Sequence, residues 1–509
     1  MAYSKSGLIV LLTHKRLYLF ALSLVLLIIS ISGPPSIGIY DVITSMDINR
    51  LIDIYSNSQT LIRMPDTYLR ILVFSIAIFL LIITPIINLK KKIDYQISNN
   101  KILSIVFIFF VFYLSTSYLY NGIALLLLLI SIYYYIFHFE DKLEKYEIFF
   151  ISSYLIIFLY PFYHSLYIPS SLHETDNYLR FLFAVPIYLL SRSIISRDTQ
   201  LLYSINIISI IIGLSALYYY LFHDGIRVRG YTSTSAIFSN ISLLFAILSF
   251  FTIKKIYLKK SKHTYLPILG TILALVAWST TGSRGSLVAI LFLLILIMFN
   301  KRLRDEYLFS NIKTKIISVL VFSIIFFQSG SLVRIQNAYQ STYNYIYDDS
   351  PHNWNHKDSI VPRISIWNGS LNMIYENTIL GVGLTNFNKE LNSQIVSKKI
   401  KPIRQDQNNY TAGMNHAHNQ YLDIFAKTGI IGFLTLIYFI IMNYYHFYRN
   451  LKNNEDNIAG FMGLLILTSY VSYMMYHTIL SHQQSILFMT FSLAIFAGLS
   501  YSNSQKKRD

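Results

Sequence analysis

The chain has 509 residues, 54% of them hydrophobic, 16% aromatic and only 13% charged, and its apolar residues fall in long blocks. Such blocks exclude a soluble globular domain and define an integral membrane protein. The absence of cysteine excludes disulfides and thiolate metal sites, and the net charge of +17 is spread over alternate loops instead of forming a nucleic-acid patch.

Hydropathy places about fourteen spans, near residues 17–31, 71–88, 102–117, 122–137, 148–163, 179–196, 201–222, 236–253, 264–279, 285–300, 314–328, 422–446, 457–476 and 483–501. The first follows His14, Lys15 and Arg16 without a small-residue cleavage site, so it is expected to be a retained span. Alternate loops are basic: the N-terminus, LKKKIDYQISNNK, KKIYLKKSKH, KRLRDEYLFSNIKTK and the terminal KKRD. The positive-inside rule assigns these to the cytoplasm. The opposite loops then face outward, namely the 34–66 segment, SLYIPSSLHETDN, FHDGIRVRGYTSTS, TTGSRGS and residues 330–421. The expected fold is an all-α polytopic membrane protein of about 12–14 transmembrane helices, with a large outward loop between two late spans. It divides into helices with short loops over 1–328, the loop over 329–421, and C-terminal helices with a cytoplasmic tail over 422–509.

A loop of roughly ninety residues is uncommon unless it has a function. This one carries NWNH, PRISIWNGSLNMIYEN, LGVGLTNF and MNHAHNQYLDIFAKTG. The topology collects Arg227, Arg229, Arg284, Arg363, His416 and His418 on the outward side. Arginine keeps its charge and offers a fork of donors matched to phosphate oxygens, so several at one membrane face could clamp a diphosphate. Gly282 and Gly285 in TTGSRGS would let backbone approach such a group. The plainer alternative is that Arg284 is a snorkelling anchor at a helix end. Arg227 and Arg229 alternate, so an extended backbone puts both on one face. Arg363 sits in an expected amphipathic helix begun after Pro362, with Ile366, Leu371 and Ile374 apolar, where a lone basic residue is ordinarily solvated. LGVGLTNF reads as a helix exit and turn.

His416 and His418 precede a span, with Asn415 as the expected N-cap. If that stretch is helical, residues i and i+2 point roughly 200° apart, so at most one histidine faces a given site. Nearby positive charge disfavours protonation and would leave a neutral imidazole suited to general-base work. The sequence contains no HExxH cluster, no GxxxxGK[ST] and no G-x-S-x-G. Charged residues are nearly absent from the expected spans and no internal repeat is evident, both of which argue against a coupled transporter.

Taken in order, HDGIRVRGYTSTSAIFSN, STTGSRGSLVAI, PRISIWNGSLNMIYENTILGVG and MNHAHNQYLDIFAKTG resemble the successive motifs of the O-antigen ligase and polymerase superfamily, over about residues 170 to 500. The resemblance implies a GT-C-like glycosyltransferase of the bacterial inner membrane, whose large loop and active site face the periplasm. Such an enzyme moves a glycan from undecaprenyl diphosphate to lipid A-core oligosaccharide in a ligase, or to another lipid-linked repeat unit in a polymerase. It needs no cofactor, metal or ATP. Other partners implied are membrane lipids and a chain-length regulator, and no nucleic acid.

Matched position by position, the SRG-loop arginine is Arg284, the arginine before the tryptophan is Arg363, and the histidine is His416 or His418, the latter preceding Asn419. Arg227 and Arg229 fall where relatives carry a basic residue before a glycine, and Arg180 in DNYLRFLFAVP matches a further position. The expectation is therefore catalysis by His418, His416, Arg284 and Arg363, with the diphosphate bound by Arg284, Arg363, Arg227, Arg229 and Arg180. Fourteen spans exceed the twelve typical of the ligases, and the first 150 residues match no motif of the family. A flippase of polysaccharide or lipid carrier is the alternative of another class.

Overall fold

The computed structural model describes residues 120–138, 142–168, 172–193, 198–222, 227–230, 232–258, 265–299, 360–401, 404–406, 409–411 and 414–505, with isolated residues between 336 and 347. The expected spans at 17–31, 71–88, 102–117 and 314–328 lie outside them. Where the other spans are expected, the chain is helical: α1 (Tyr120–His138), α2 (Lys145–Tyr167), α3 (Leu179–Ser193), α4 (Asp198–Phe222), α5 (Ser235–Leu258), α6 (Tyr265–Thr280) and α7 (Val288–Phe299). After two loop helices, α8 (Ile360–Glu376) and α9 (Phe387–Val396), come α10 (Gln420–Asn453), α11 (Ile458–Tyr473) and α12 (Gln483–Gln505). Among the described residues the only strands are a small antiparallel hairpin, β1 (Arg404–Asp406) with β2 (Asn409–Thr411), in the register Arg404 opposite Thr411.

Five helices, α2, α4, α5, α10 and α12, contain segments long and apolar enough to cross a membrane, and α1, α6, α7 and α11 include shorter apolar stretches. The chain is a multi-pass membrane protein. Helix α3 departs from the expected span: its 15 residues include Arg180, Pro186 and Arg192. At 1.5 Å per residue it is only about 22 Å long, well short of the roughly 30 Å hydrocarbon core.

The centre of the bundle is α11 and α12. Every residue from Ile458 to Tyr470 and from Gln484 to Ser500 is buried, which requires a surface apolar or weakly polar all the way round. Helices α2, α3 and α10 pack on one flank, with α1 against α3; α7 and the group α4, α5 and α6 pack on the other. The outer faces of α4 and α7 expose Leu214, Leu221, Leu291 and Met298, as lipid-facing surfaces do.

One end of the bundle is tied by buried charge. Glu147 accepts hydrogen bonds from Tyr188 Oη and Arg192 Nε, both at 2.6 Å, and the Arg192 guanidinium lies 4.3 Å from the centre of the Tyr501 ring. Tyr146 Oη donates to Asn450 Oδ1 at 3.0 Å. The expectation that spans are almost free of charge is therefore corrected, because these helices bury an acidic and a basic side chain where partners satisfy them. The site lies at the opposite end, and α5 runs away from it toward the basic KKIYLKKSKH segment.

The loop helices have a core of their own, formed by Ile366, Met373, Phe387, Leu391, Ile395 and Ile400 with Ala417 and Ala426. Helix α8 begins two residues before Pro362, and its buried face carries Met373 where the sequence pattern points to Leu371, which is exposed.

The loop is joined to α10 through a break in that helix. Gly429 has φ 68° and ψ −170°, so the backbone around it leaves carbonyls without helical partners. The turn after α8 supplies partners: the N–H groups of Val382 and Gly383 donate to Ala426 O and Lys427 O at 2.9 Å, and Ile430 N–H donates to Thr378 O at 2.8 Å. LGVGLTNF is thus the helix exit and turn expected, with Gly381 and Gly383 at positive φ.

Candidate functional site

At the site end, five chain segments meet. The first is Arg227-Val228-Arg229, an extended stretch in which Val228 is buried and both arginines are exposed, as strict alternation requires. Val228 N–H donates to Thr280 O at 3.1 Å, which lays this stretch beside the second segment, the SRG loop.

The SRG loop joins α6 to α7 and is held by Ser286. Trp278 Nε1 donates to Ser286 Oγ at 2.8 Å, and Ser239 Oγ lies 2.7 Å from the same oxygen. Arg284 caps the short 3-10 turn Gly285–Leu287; it is half-buried, with its Nε out of contact with solvent. A freely solvated snorkelling anchor would not be so placed. The two loop glycines make room for protein: a Cβ at 282 would lie 3.1 Å from Arg227 Nε, and one at 285 would lie 2.4 Å from the Tyr476 ring. Backbone approach to a ligand is not needed to explain them.

The third segment is the first turn of α8, with half-buried Arg363. Its positive charge acts on His418, Tyr476 and His477.

The fourth is the H-x-H-N segment. It is not helical, and Asn419, not Asn415, is the N-cap: Asn419 Oδ1 accepts from the N–H groups of Tyr421 and Leu422 at 3.0 and 3.2 Å. His418 has φ 52°, in the left-handed region that side-chain-bearing residues visit at a cost of roughly 1–2 kcal/mol. That turn brings the His416 and His418 rings onto one side, 4.3 Å apart and nearly perpendicular. The expectation that at most one could face a site held only for a helix, and this segment is not helical. The loop is clamped around Ala417: Trp367 Nε1 donates to Ala417 O at 2.9 Å, and Ala417 N–H donates to Asp423 Oδ1 at 2.9 Å. The other Asp423 oxygen holds Lys427 Nζ at 3.1 Å.

The fifth segment is the turn from α11 to α12, and the sequence reading missed it. His477 and His482 stack with ring centres 4.7 Å apart, and His482 lies 5.7 Å from His416. Gln420 ties this turn to the histidine loop, its N–H donating to Met474 O at 2.7 Å and its Oε1 accepting from Leu480 N–H at 2.8 Å. These histidines lie in YHTILSHQQS, which has no recognisable spacing; only the fold brings them to His416. Among the described residues no group of three histidine or carboxylate side chains is arranged to hold a metal ion.

Burial, then the neighbouring imidazoles and Arg363, hold His418 down at about 3 against an ordinary 6.5; Asp423 opposes them. Burial, followed by Lys427 and His482, holds His416 at about 4. His477 and His482 are lowered as well, again mainly by burial. All four imidazoles are neutral at physiological pH, as the sequence implied for the first two.

Arg180 stands apart from this convergence. It is buried and held by the backbone carbonyl of Asp176, with the Asp176 carboxylate 3.8 Å away. Its connection to the site is indirect, through the Leu172–Tyr178 turn, which packs on the Ile479–Ser481 turn.

Fold and site together define a multi-pass helical membrane protein with neutral histidines and arginines gathered at one end of its bundle. Residues 269–437, spanning the SRG loop, α8, the H-x-H-N segment and the first half of α10, match the model of the family described as O-antigen ligase. Its members are enzymes of glycosyltransferase or ligase type acting on lipid-linked glycans. The chain is also 25% identical over 344 residues to an uncharacterized protein of Haemophilus influenzae, covering 66% of this chain and 82% of that relative.

Proposed function

We propose that the protein is an O-antigen ligase: a GT-C-like, inverting glycosyltransferase of the bacterial inner membrane. It transfers polysaccharide from undecaprenyl diphosphate to lipid A-core oligosaccharide at the periplasmic face, without metal, cofactor or ATP. The observation that carries this reading is the meeting of Arg363, the SRG loop and two neutral histidines within a segment that matches the O-antigen ligase family. The 329–421 segment is then the periplasmic loop, and the basic loops at the other end are cytoplasmic.

Arg284 and Arg363, with Arg227 and Arg229 at the rim, bind the donor diphosphate. Charge grows on this leaving group as the bond from the anomeric carbon to phosphate oxygen breaks, so donors already aimed at it stabilise the transition state above the ground state. His418 takes the proton of the acceptor hydroxyl as that oxygen attacks the anomeric carbon from the opposite face. A histidine held near 3 is a weak base, and the diphosphate corrects this. Its negative charge beside Arg363 offsets the cationic field and raises the proton affinity of His418. Arg180 braces the Leu172–Tyr178 turn through Asp176.

The test is reconstitution of purified protein with undecaprenyl-diphosphate-linked glycan and lipid A-core, with chelator and without nucleotide. Transfer to the core that is lost in Arg284→Ala and His418→Ala is the expected outcome. Lengthening of the lipid-linked glycan with the core untouched would make the protein a polymerase of the same superfamily. Neither product, from folded protein and matched substrates, would favour a transporter.

A further inference from the structure

The turn between α11 and α12 and the start of α5 beside it contain buried polar atoms that the protein itself leaves without partners. His477 is 5% exposed and its Nδ1 makes no hydrogen bond; Asn240 is 2% exposed and its Nδ2 makes none. Burying a polar atom unsatisfied costs about 1–3 kcal/mol, so such atoms call for a ligand or a water. Asn240 is oriented by the turn: its Oδ1 accepts from Tyr476 Oη and its backbone carbonyl accepts from Tyr473 Oη at 3.1 Å.

The turn also bridges the two halves of the site. Tyr476 lies against Gly285 of the SRG loop. His477 stacks on His482, which in turn reaches His416. Arg363 acts electrostatically on Tyr476, His477 and His418. On the reading above, the diphosphate sits at the arginines and the attacking hydroxyl at the H-x-H pair, so the reacting sugar has to lie between them, over this turn.

We propose that the α11–α12 turn and the start of α5 form the donor-sugar subsite, in which His477 Nδ1 and Asn240 Nδ2 hydrogen-bond hydroxyl or acetamido groups of the sugar attached to the diphosphate. The proposal rests on the donor reading above. A neutral imidazole suits this task better than a charged group, because it offers directional bonding without competing with the arginines for the diphosphate.

The experiment compares binding of undecaprenyl diphosphate alone with binding of the undecaprenyl-diphosphate-linked glycan, for full-length wild type, His477→Phe and His477→Asn in detergent. Phenylalanine keeps the ring stacked on His482 and removes both nitrogens; asparagine restores a polar atom near Nδ1. Expected are unchanged affinity of all three proteins for undecaprenyl diphosphate, about five- to tenfold weaker binding of the glycan-bearing lipid by His477→Phe, and recovery of at least half that loss in His477→Asn. Equal binding of the glycan-bearing lipid by wild type and His477→Phe would overturn the subsite, as would a parallel loss for both lipids. If wild type binds neither lipid, the donor reading falls and takes the subsite with it. Should His477→Phe fail to fold, Asn240→Ser is read by the same comparison, with the same selective loss expected.

Discussion

The positive φ of His418 shows how one residue's backbone decides the chemistry of two. With φ 52° it turns its ring back toward His416, and the clamps on Ala417 hold that turn. His418→Ala is expected to lower turnover by about 10²–10⁴ while donor binding, followed separately, stays within about twofold. Trp367→Phe removes only the hydrogen bond to Ala417 O and is expected to lower kcat roughly fivefold, in line with about 1 kcal/mol of lost positioning, with no change in the amount of folded protein. A Trp367→Phe enzyme with wild-type kcat would mean that the clamp is not needed. Gly285→Ala puts a methyl into the Tyr476 ring; activity should be lost, and partly regained when Tyr476→Ala is added, a rescue that a merely unfolded loop would not show. The types of residue gathered here were legible in the sequence, which sets arginines and an H-x-H pair at one face. The left-handed turn, Asn419 as the cap and the second histidine pair were not, because each depends on contacts between segments tens to hundreds of residues apart.

At the scale of elements, apolar length alone located a helix at every expected span that falls within the described residues, to within a few residues for most. It did so because a lipid-facing or fully buried helix cannot hide its composition. What it could not distinguish was a helix that crosses unbroken from one that does not. The KTGIIG run reads as the interior of a span, yet Gly429 breaks α10 there, and α3 buries Arg180 and Arg192. Gly429→Ala would place a Cβ 2.0 Å from Ile379 O at φ 68°, so the expected result is loss of folded protein, read as yield of monodisperse material in detergent. An alanine variant that purifies normally would show that α10 can run straight. Arg192→Met is expected to destabilise by about 3–5 kcal/mol, because it breaks a buried ion pair by removing one partner; thermal unfolding of the purified protein would register it, with catalysis per folded molecule unaltered.

Taken whole, the molecule has a titrating end and a structural end. His416 is held near 4 and His418 near 3 against 6.5 in an unfolded chain. Between those folded values and 6.5 the unfolded chain binds more protons, so stability rises with pH across that window. The contribution is fully present above about 6.5 and is lost as pH falls toward the folded values, by on the order of 1 kcal/mol per pH unit for each histidine. The unfolding midpoint is therefore expected to drop between pH 7 and pH 5, and to drop less in His416→Gln. Identical profiles for the two proteins would mean that His416 is not protonated on unfolding in that range.

The break at Gly429 also determines how this protein can be recombined with its relatives. The turn at 378–383 completes the hydrogen bonding of α10, and Ala426 belongs to the same apolar cluster as Ile366 and Phe387. Cutting at the apparent loop boundary, near residue 419, would therefore pair a foreign turn with a native broken helix and orphan the carbonyls of Ala426 and Lys427. The natural unit of exchange runs instead from about residue 360 through Gly432. A chimera cut there carries its loop, its histidines and the broken half of its helix as one inherited piece, and substrate preference should travel with that piece.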